Sequence, residues 1–214
     1  MGLYDEVKQI VGADILEIFG DSGSGKSSFA RVLVDECIAA GKKVYYIDSE
    51  RNIKEPPSGI GYEYVASLDS MYNTIMMVPR EQDLVILDSL GLPILGEFAS
   101  MDMRGRGAAL LKAEAICYKL KQYTWQNTNA LTLVLNQPES QFGKEPDYIR
   151  QPFCDKHVYF IKEIWVSKMF DRSSTSTICQ IFAFRSRIFP NKLLYTINIS
   201  GPIDNIKINI TKQW

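Results

Sequence analysis

Nine consecutive residues, Gly20, Asp21, Ser22, Gly23, Ser24, Gly25, Lys26, Ser27 and Ser28, carry the densest chemical signal in the chain. A glycine, four residues, then Gly-Lys-Ser is the spacing of a phosphate-binding loop. The glycines let the backbone curl so that successive N–H groups point at one anion, and a helix opening at the lysine adds the partial positive charge of its N-terminus. In that arrangement Lys26 neutralises the β- and γ-phosphates and the Ser27 hydroxyl ligates magnesium. Average residue frequencies make the pattern a chance event of roughly 1% in a chain of this size. An apolar run before it and a helical pattern after it are the context the motif requires. The chemistry implied is the binding of a nucleoside triphosphate, ATP with Mg²⁺.

Acids and amides at suitable places extend this. Asp88 closes the apolar run D-L-V-I-L-D and is placed to hold Mg²⁺ through a water from a neighbouring strand. Glu50 follows Y-Y-I-D-S, where a carboxylate facing the γ-phosphate could orient or deprotonate the attacking water. Asp48, two residues earlier, is the competing candidate for that task. Asn136 and Gln137 end the run L-T-L-V-L, and uncharged amides at a strand tip can hydrogen-bond a γ-phosphate and report its loss to the loop that follows.

These residues need a scaffold, and the pattern of apolar segments describes one. Short apolar runs at Ile15 to Phe19, Lys43 to Asp48, Tyr62 to Ala66, Asp83 to Asp88 and Leu131 to Leu135 read as strands. Helical spacing predicts helices from Lys26 to Ala40, around Ser70 to Met77, and through Leu110, Ala113, Cys117, Leu120 and Tyr123. A Gly- and Met-containing connection is expected from Ser89 to Gly107, and a long polar loop from Asn136 to about Lys156. Lys162 to Met169, Thr177 to Phe184 and Leu193 to Ile199 alternate and are rich in Ile, Phe, Tyr and Trp. The turn Asp171 to Ser176 joins the first two as an antiparallel hairpin. The expectation is an α/β chain with a mainly parallel central sheet flanked by helices and a C-terminal antiparallel hairpin, residues 1–214 forming one domain.

Bulk composition narrows the partners. With 24 basic and 25 acidic residues the formal net charge is -1, so no global field recruits nucleic acid and any such contact must be local. No apolar stretch approaches the roughly 20 residues that span a bilayer, and Met1 to Lys8 lack the apolar centre of a signal peptide. Cys37, Cys117, Cys154 and Cys179 are far apart and His157 is the sole histidine, so reduced thiols in a cytoplasmic protein are expected rather than a zinc site.

The ordered set GDSGSGKS, YYIDSE, VILDS and LVLNQ resembles the ATPase core of RecA-family recombinases, nearest the archaeal and eukaryotic branch with RadA and RadB. The resemblance runs from about Ile15 to Asp204. Met103 to Leu110 is similar to that family's first DNA-binding loop, and Phe184 to Asn191 to the segment that caps ATP in a neighbouring subunit. Tyr195 to Asp204 is similar to the branch's terminal strand.

This resemblance implies a RecA-like P-loop ATPase core in which Lys26 and Ser27 bind phosphate and magnesium and Asp88 is the magnesium acid. It makes Glu50 the catalytic carboxylate and Gln137 the γ-phosphate sensor. It puts Arg104 and Arg106 in a first loop facing single-stranded DNA and Pro138 to Lys156 in a second. Neither the N-terminal helical domain nor the linking segment of a full recombinase is expected ahead of Ile15. The second loop sets Glu139, Glu145, Asp147 and Asp155 against Lys144, Arg150 and Lys156, and the cap carries Asn191 where an acid is common. The implied function is that of a core-only archaeal paralogue (RadC-type) with ATPase activity in recombinational DNA repair. Its partners would be single-stranded DNA, a recombinase or repair protein and other copies of itself, with no membrane. The alternative is a KaiC-like or archaellum-motor-like nucleotide switch that controls protein assembly without nucleic acid.

Overall fold

A computed structural model describes residues 1–51, 53, 55–99, 101–138, 161–189, 191–201 and 206–214. The elements in chain order are α1 (Leu3–Val11), β1 (Ile15–Phe19), α2 (Lys26–Ala39), β2 (Val44–Asp48), β3 (Gly61–Tyr64), α3 (Leu68–Met77) and β4 (Leu84–Asp88). They continue with α4 (Gly91–Phe98), α5 (Met103–Gln126), β5 (Leu131–Asn136), β6 (Glu163–Arg172), β7 (Ser176–Arg185), β8 (Leu193–Ser200) and β9 (Lys207–Lys212).

The strands form one sheet in the order β3-β2-β4-β5-β1-β6-β7-β8-β9. From β3 through β6 neighbouring strands are parallel, and β6 to β9 form an antiparallel extension. The parallel strands are buried on both faces, which is why ILEIF, LVILD and LTLVLN read as unbroken apolar runs rather than alternating ones. One face packs against α1 and α2 through Tyr4, Val7, Phe29 and Leu33; the other packs against α3, α4 and α5 through Met71, Ile94, Ile116 and Leu120.

Beneath α2 the rings of Phe29, Trp165 and Tyr195 meet at centroid distances of 5.4 to 6.3 Å. All three rings are fully buried, and edge and tilted contacts of this kind add to the burial energy. Trp165 is thus a core residue that fastens β6 to α2.

The expected α/β architecture, its parallel centre and its C-terminal antiparallel part are all present. Four local features differ. The N-terminal residues fold as α1, whose Tyr4, Val7, Ile10 and Val11 turn inward while Lys8 donates to the carbonyls of Gly12, Thr128 and Ala130. Within the stretch expected as an irregular connection, Gly91–Phe98 is helical, and α5 begins at Met103 with Asp102 accepting from the Gly105 N–H at 2.8 Å. α3 starts at Leu68, two residues before the expected Ser70, because Ser67 and Ser70 form a reciprocal capping pair. Beyond the expected last strand, β9 pairs antiparallel with β8 from Ser200↔Lys207 to Tyr195↔Lys212.

Candidate nucleotide site

The loop of residues 20–25, the candidate phosphate loop, connects the end of β1 to the start of α2, and its shape is imposed from below by the antiparallel strands. The Ser167 hydroxyl on β6 donates to the Ser24 carbonyl at 2.6 Å. At Gly20 an added Cβ would collide with the Ser167 carbonyl oxygen, so any side chain there would lift the loop off β6. Gly25 has φ +90, a left-handed conformation, and a Cβ there would lie 3.1 Å from the Cys179 side chain. Glycine at these two positions is therefore a packing and backbone requirement, and it leaves the turn able to lie flat over the sheet.

Lys26 is almost wholly buried, and its Nζ donates to the carbonyls of Gly20 at 2.7 Å and Asp21 at 2.9 Å. Burial pushes its pKa down, opposed by the negative charges of Glu50, Asp88 and Asp21. The ammonium thus bridges the mouth of the loop with acids on the far side. Around it, Asp21, Ser22 and Gly23 are exposed and Ser24 is buried.

At the adjacent strand tips Asp48 on β2 pairs in register with Asp88 on β4, and Asp88 with Leu135 on β5. The Ser27 hydroxyl lies 3.2 Å from Asp88 Oδ2, and the Tyr46 hydroxyl donates to the same oxygen at 2.7 Å. Burial pushes the Asp88 carboxyl up to about 6; Glu50 and Asp48 add to the rise, while the Tyr46 and Ser27 hydrogen bonds oppose it. A carboxylate and a hydroxyl side by side suit a hard cation such as Mg²⁺, which keeps several waters and takes phosphate oxygens as further ligands. Among the described residues no group of three or more His, Cys, Asp or Glu could enclose a metal alone. The donor set present therefore fits a metal that arrives with its nucleotide.

The two acids at the end of β2 have different surroundings. Asp48 is fully buried and accepts from the Glu50 N–H at 2.8 Å, the Ile53 N–H at 3.2 Å and the Tyr62 hydroxyl at 2.9 Å. Those bonds tie it to the turn after β2. Glu50 is half-buried and faces the cleft, where its Oε1 accepts from the Ser89 hydroxyl at 2.6 Å and the Gln137 amide at 3.3 Å. Lys26, Ser27, Glu50, Asp88 and Gln137 together line a cleft of about 340 Å³. A second cleft of about 310 Å³ shares Ser27, Ser28 and Ile199 with it and continues along Arg31, Tyr46 and Ile206.

Arg104 and Arg106 are not in a loop: both sit exposed in the first turn of α5. Asp102 caps that turn, which offsets the glycines at 105 and 107 that made the stretch look irregular. The Arg106 guanidinium lies 5.8 Å from the Phe98 ring centre. The second loop beyond Pro138, His157, Cys154, Pro190 of the cap and residues 202–205 lie outside the described residues. Cys37 and Cys179 are free thiols, and no helix among the described residues is long and apolar enough to cross a membrane.

Four residues of the site had no role assigned from the sequence. Tyr46 and Ser167 read only as strand residues, and Ser89 only as the residue after Asp88. Glu17 is a fully buried acid in the middle of an apolar strand, accepting from the Asn136 amide at 2.7 Å. Its charge inside I-L-E-I-F was the one available signal.

No protein-family model matches the chain, and a search of curated proteins returns no match. Among solved structures, that of the RadB recombinase superposes with a TM-score of 0.65, covering 94% of each chain at 17% sequence identity. At that identity the likeness is one of fold: the chain has a RecA-like α/β core.

Proposed function

We propose that the chain binds ATP with Mg²⁺ at the loop of residues 20–28 and hydrolyses it, as an ATPase that assists recombinational DNA repair. The observation that carries this is the convergence of Lys26, Ser27, Glu50, Asp88 and Gln137 on one cleft, from four separate strand ends. The RadB recombinase, with its similar fold, supports the recombination context.

In this reading the N–H groups of residues 22–28 and the Lys26 ammonium hold the phosphates, and Ser27 with Asp88 holds the Mg²⁺. The bound metal supplies charge neutralisation on the phosphoryl oxygens. Glu50 accepts a hydrogen bond from the water that attacks, held in direction by Ser89. Gln137, released from Glu50, donates to the terminal phosphate. The nucleoside extends from Ser28 into the second cleft, between Arg31 and Ile206. Arg104 and Arg106, exposed in the first turn of α5, contact the backbone of single-stranded DNA.

A second reading, a nucleotide switch acting on a protein partner without nucleic acid, is favoured by one observation: Arg106 already lies against Phe98 at the start of a capped helix. Hydrolysis measured with and without single-stranded DNA at low and moderate salt separates the two. Stimulation that fades with salt supports the repair ATPase; hydrolysis indifferent to DNA at both salts supports the switch, and no hydrolysis with no nucleotide binding discards both.

A further inference from the structure

A line of hydrogen bonds runs from the middle of β1 to the candidate water-activating acid. Glu17 is fully buried, and its Oε1 accepts from Asn136 Nδ2 at 2.7 Å. Asn136 is also fully buried, at the end of β5, and its Oδ1 accepts from the Gln137 N–H at 2.8 Å. Gln137 in turn donates to Glu50. The Asn136 carbonyl accepts from the Gly20 N–H at 3.3 Å, so the same residue touches the first glycine of the phosphate loop.

The chemistry of this line has a direction. An asparagine amide offers a donor on one side and an acceptor on the other, and nothing in its own shape selects which way it faces. Glu17 Oε1 accepts from the Nδ2 side of that amide and so draws it toward β1, which leaves Oδ1 to hold the Gln137 N–H. With that N–H held, the Gln137 side chain leaves the strand tip toward Glu50. On the opposite side, a Cβ at Gly91 would lie 3.0 Å from Asn136 Oδ1, so the start of α4 is pressed against the same amide. In a buried site of low dielectric such bonds are strong, and a wrongly turned amide would leave two donors facing each other.

We propose that Glu17 is a positioning residue for hydrolysis: by fixing the orientation of the Asn136 amide it sets where Gln137 reaches Glu50 and the terminal phosphate. The inference rests on the ATPase reading above. It reaches beyond it in giving a buried acid in the middle of β1 a task in the reaction, with no contact to nucleotide.

The test uses the full chain with Glu17→Gln, which keeps size but can present a donor, and with the double substitution Glu17→Gln and Asn136→Asp, which swaps amide and carboxylate. Asn136→Ala is the fallback that leaves Glu17 in place if the swap does not fold. Three quantities are read: hydrogen exchange of the Gln137 N–H without nucleotide, the dissociation constant for Mg²⁺-ATP, and the turnover number. Glu17→Gln is expected to speed that exchange about fivefold, the factor that corresponds to a lost hydrogen bond of ~1 kcal/mol. Turnover should fall about tenfold while nucleotide affinity stays within about twofold, the pattern of a misplaced catalytic group. The swap should recover most of both effects, and Asn136→Ala should reproduce the single variant. Unchanged exchange in Glu17→Gln overturns the link whether or not the protein hydrolyses ATP. Faster exchange with unchanged turnover, or a swap that restores neither, reduces Glu17 to a structural acid and overturns the positioning role. Failure of the ATPase reading would instead be seen in the unsubstituted protein, as absent turnover.

Discussion

Replacing Asp88 by Asn should make the nucleotide-free protein more stable at neutral and alkaline pH, although it removes the proposed magnesium ligand. Burial raises the Asp88 carboxyl from an ordinary 3.8 to about 6. A carboxyl that is higher in the folded state than in the unfolded one binds its proton first in the folded state, so stability falls as pH rises through the window between the two values. Two pH units at ~1.4 kcal/mol each give a cost of about 3 kcal/mol once the group is fully charged in the fold, near pH 8. At about pH 4 most of that cost has gone, because the folded carboxyl is then protonated.

Asn keeps the shape and can still accept from Tyr46, whose hydroxyl lies 2.7 Å from Asp88 Oδ2. The assay is urea unfolding of both proteins across this pH range, without Mg²⁺ or nucleotide. Asp88→Asn should be about 2–3 kcal/mol more stable at pH 8 and within about 0.5 kcal/mol at pH 4. A variant less stable at pH 8, or a difference that does not change with pH, would refute the picture of a charge held in an unfavourable place until a cation meets it.

Other perturbations follow from the same geometry. Glu50→Gln should leave Mg²⁺-ATP affinity nearly intact and lower turnover by about 10² or more, the range of a lost general base; an unchanged rate in a steady-state assay would take Glu50 out of the mechanism. Substituting both Arg104 and Arg106 by Ala should weaken single-stranded DNA binding and reduce its logarithmic salt slope by roughly 1.4, about 0.7 for each phosphate no longer neutralised; fluorescence anisotropy at several salt concentrations reads this, and an unaltered slope would clear both residues. Trp165→Ala, at a fully buried ring between Phe29 and Tyr195, should cost about 3–5 kcal/mol in denaturant unfolding.

What the sequence made legible was the part built from residues with few alternatives. An unbroken apolar run such as L-V-I-L-D has hardly any place other than a doubly covered parallel strand, and β4 lies there. The turn of residues 20–25 was legible because only glycine suits Gly20 against Ser167 and Gly25 at φ +90. The features that escaped depend on tertiary partners. α1 hides its inward Tyr4, Val7, Ile10 and Val11 among charges that are quiet only once Lys8 meets the carbonyls of Gly12, Thr128 and Ala130. Gly91, Pro93 and Gly96 argue against a helix, yet α4 forms where Ile94 is buried against the sheet. The Asp48 and Glu50 alternatives are equivalent in spacing and part only when Tyr62 and the Ile53 N–H are seen to occupy Asp48. Tyr46 and Glu17 show no role in the sequence because their contacts are defined by what a neighbouring strand presents to them.

The central claim is that the loop around Lys26 holds Mg²⁺-ATP. Titration of the purified protein with a fluorescent ATP analogue, with Mg²⁺ and then with EDTA, tests it most directly, beside Lys26→Ala. Binding in the micromolar range that weakens on chelation, and falls by about 10² or more in the variant, is the predicted result. No saturable binding at about 1 mM analogue, or equal binding by Lys26→Ala, would contradict it.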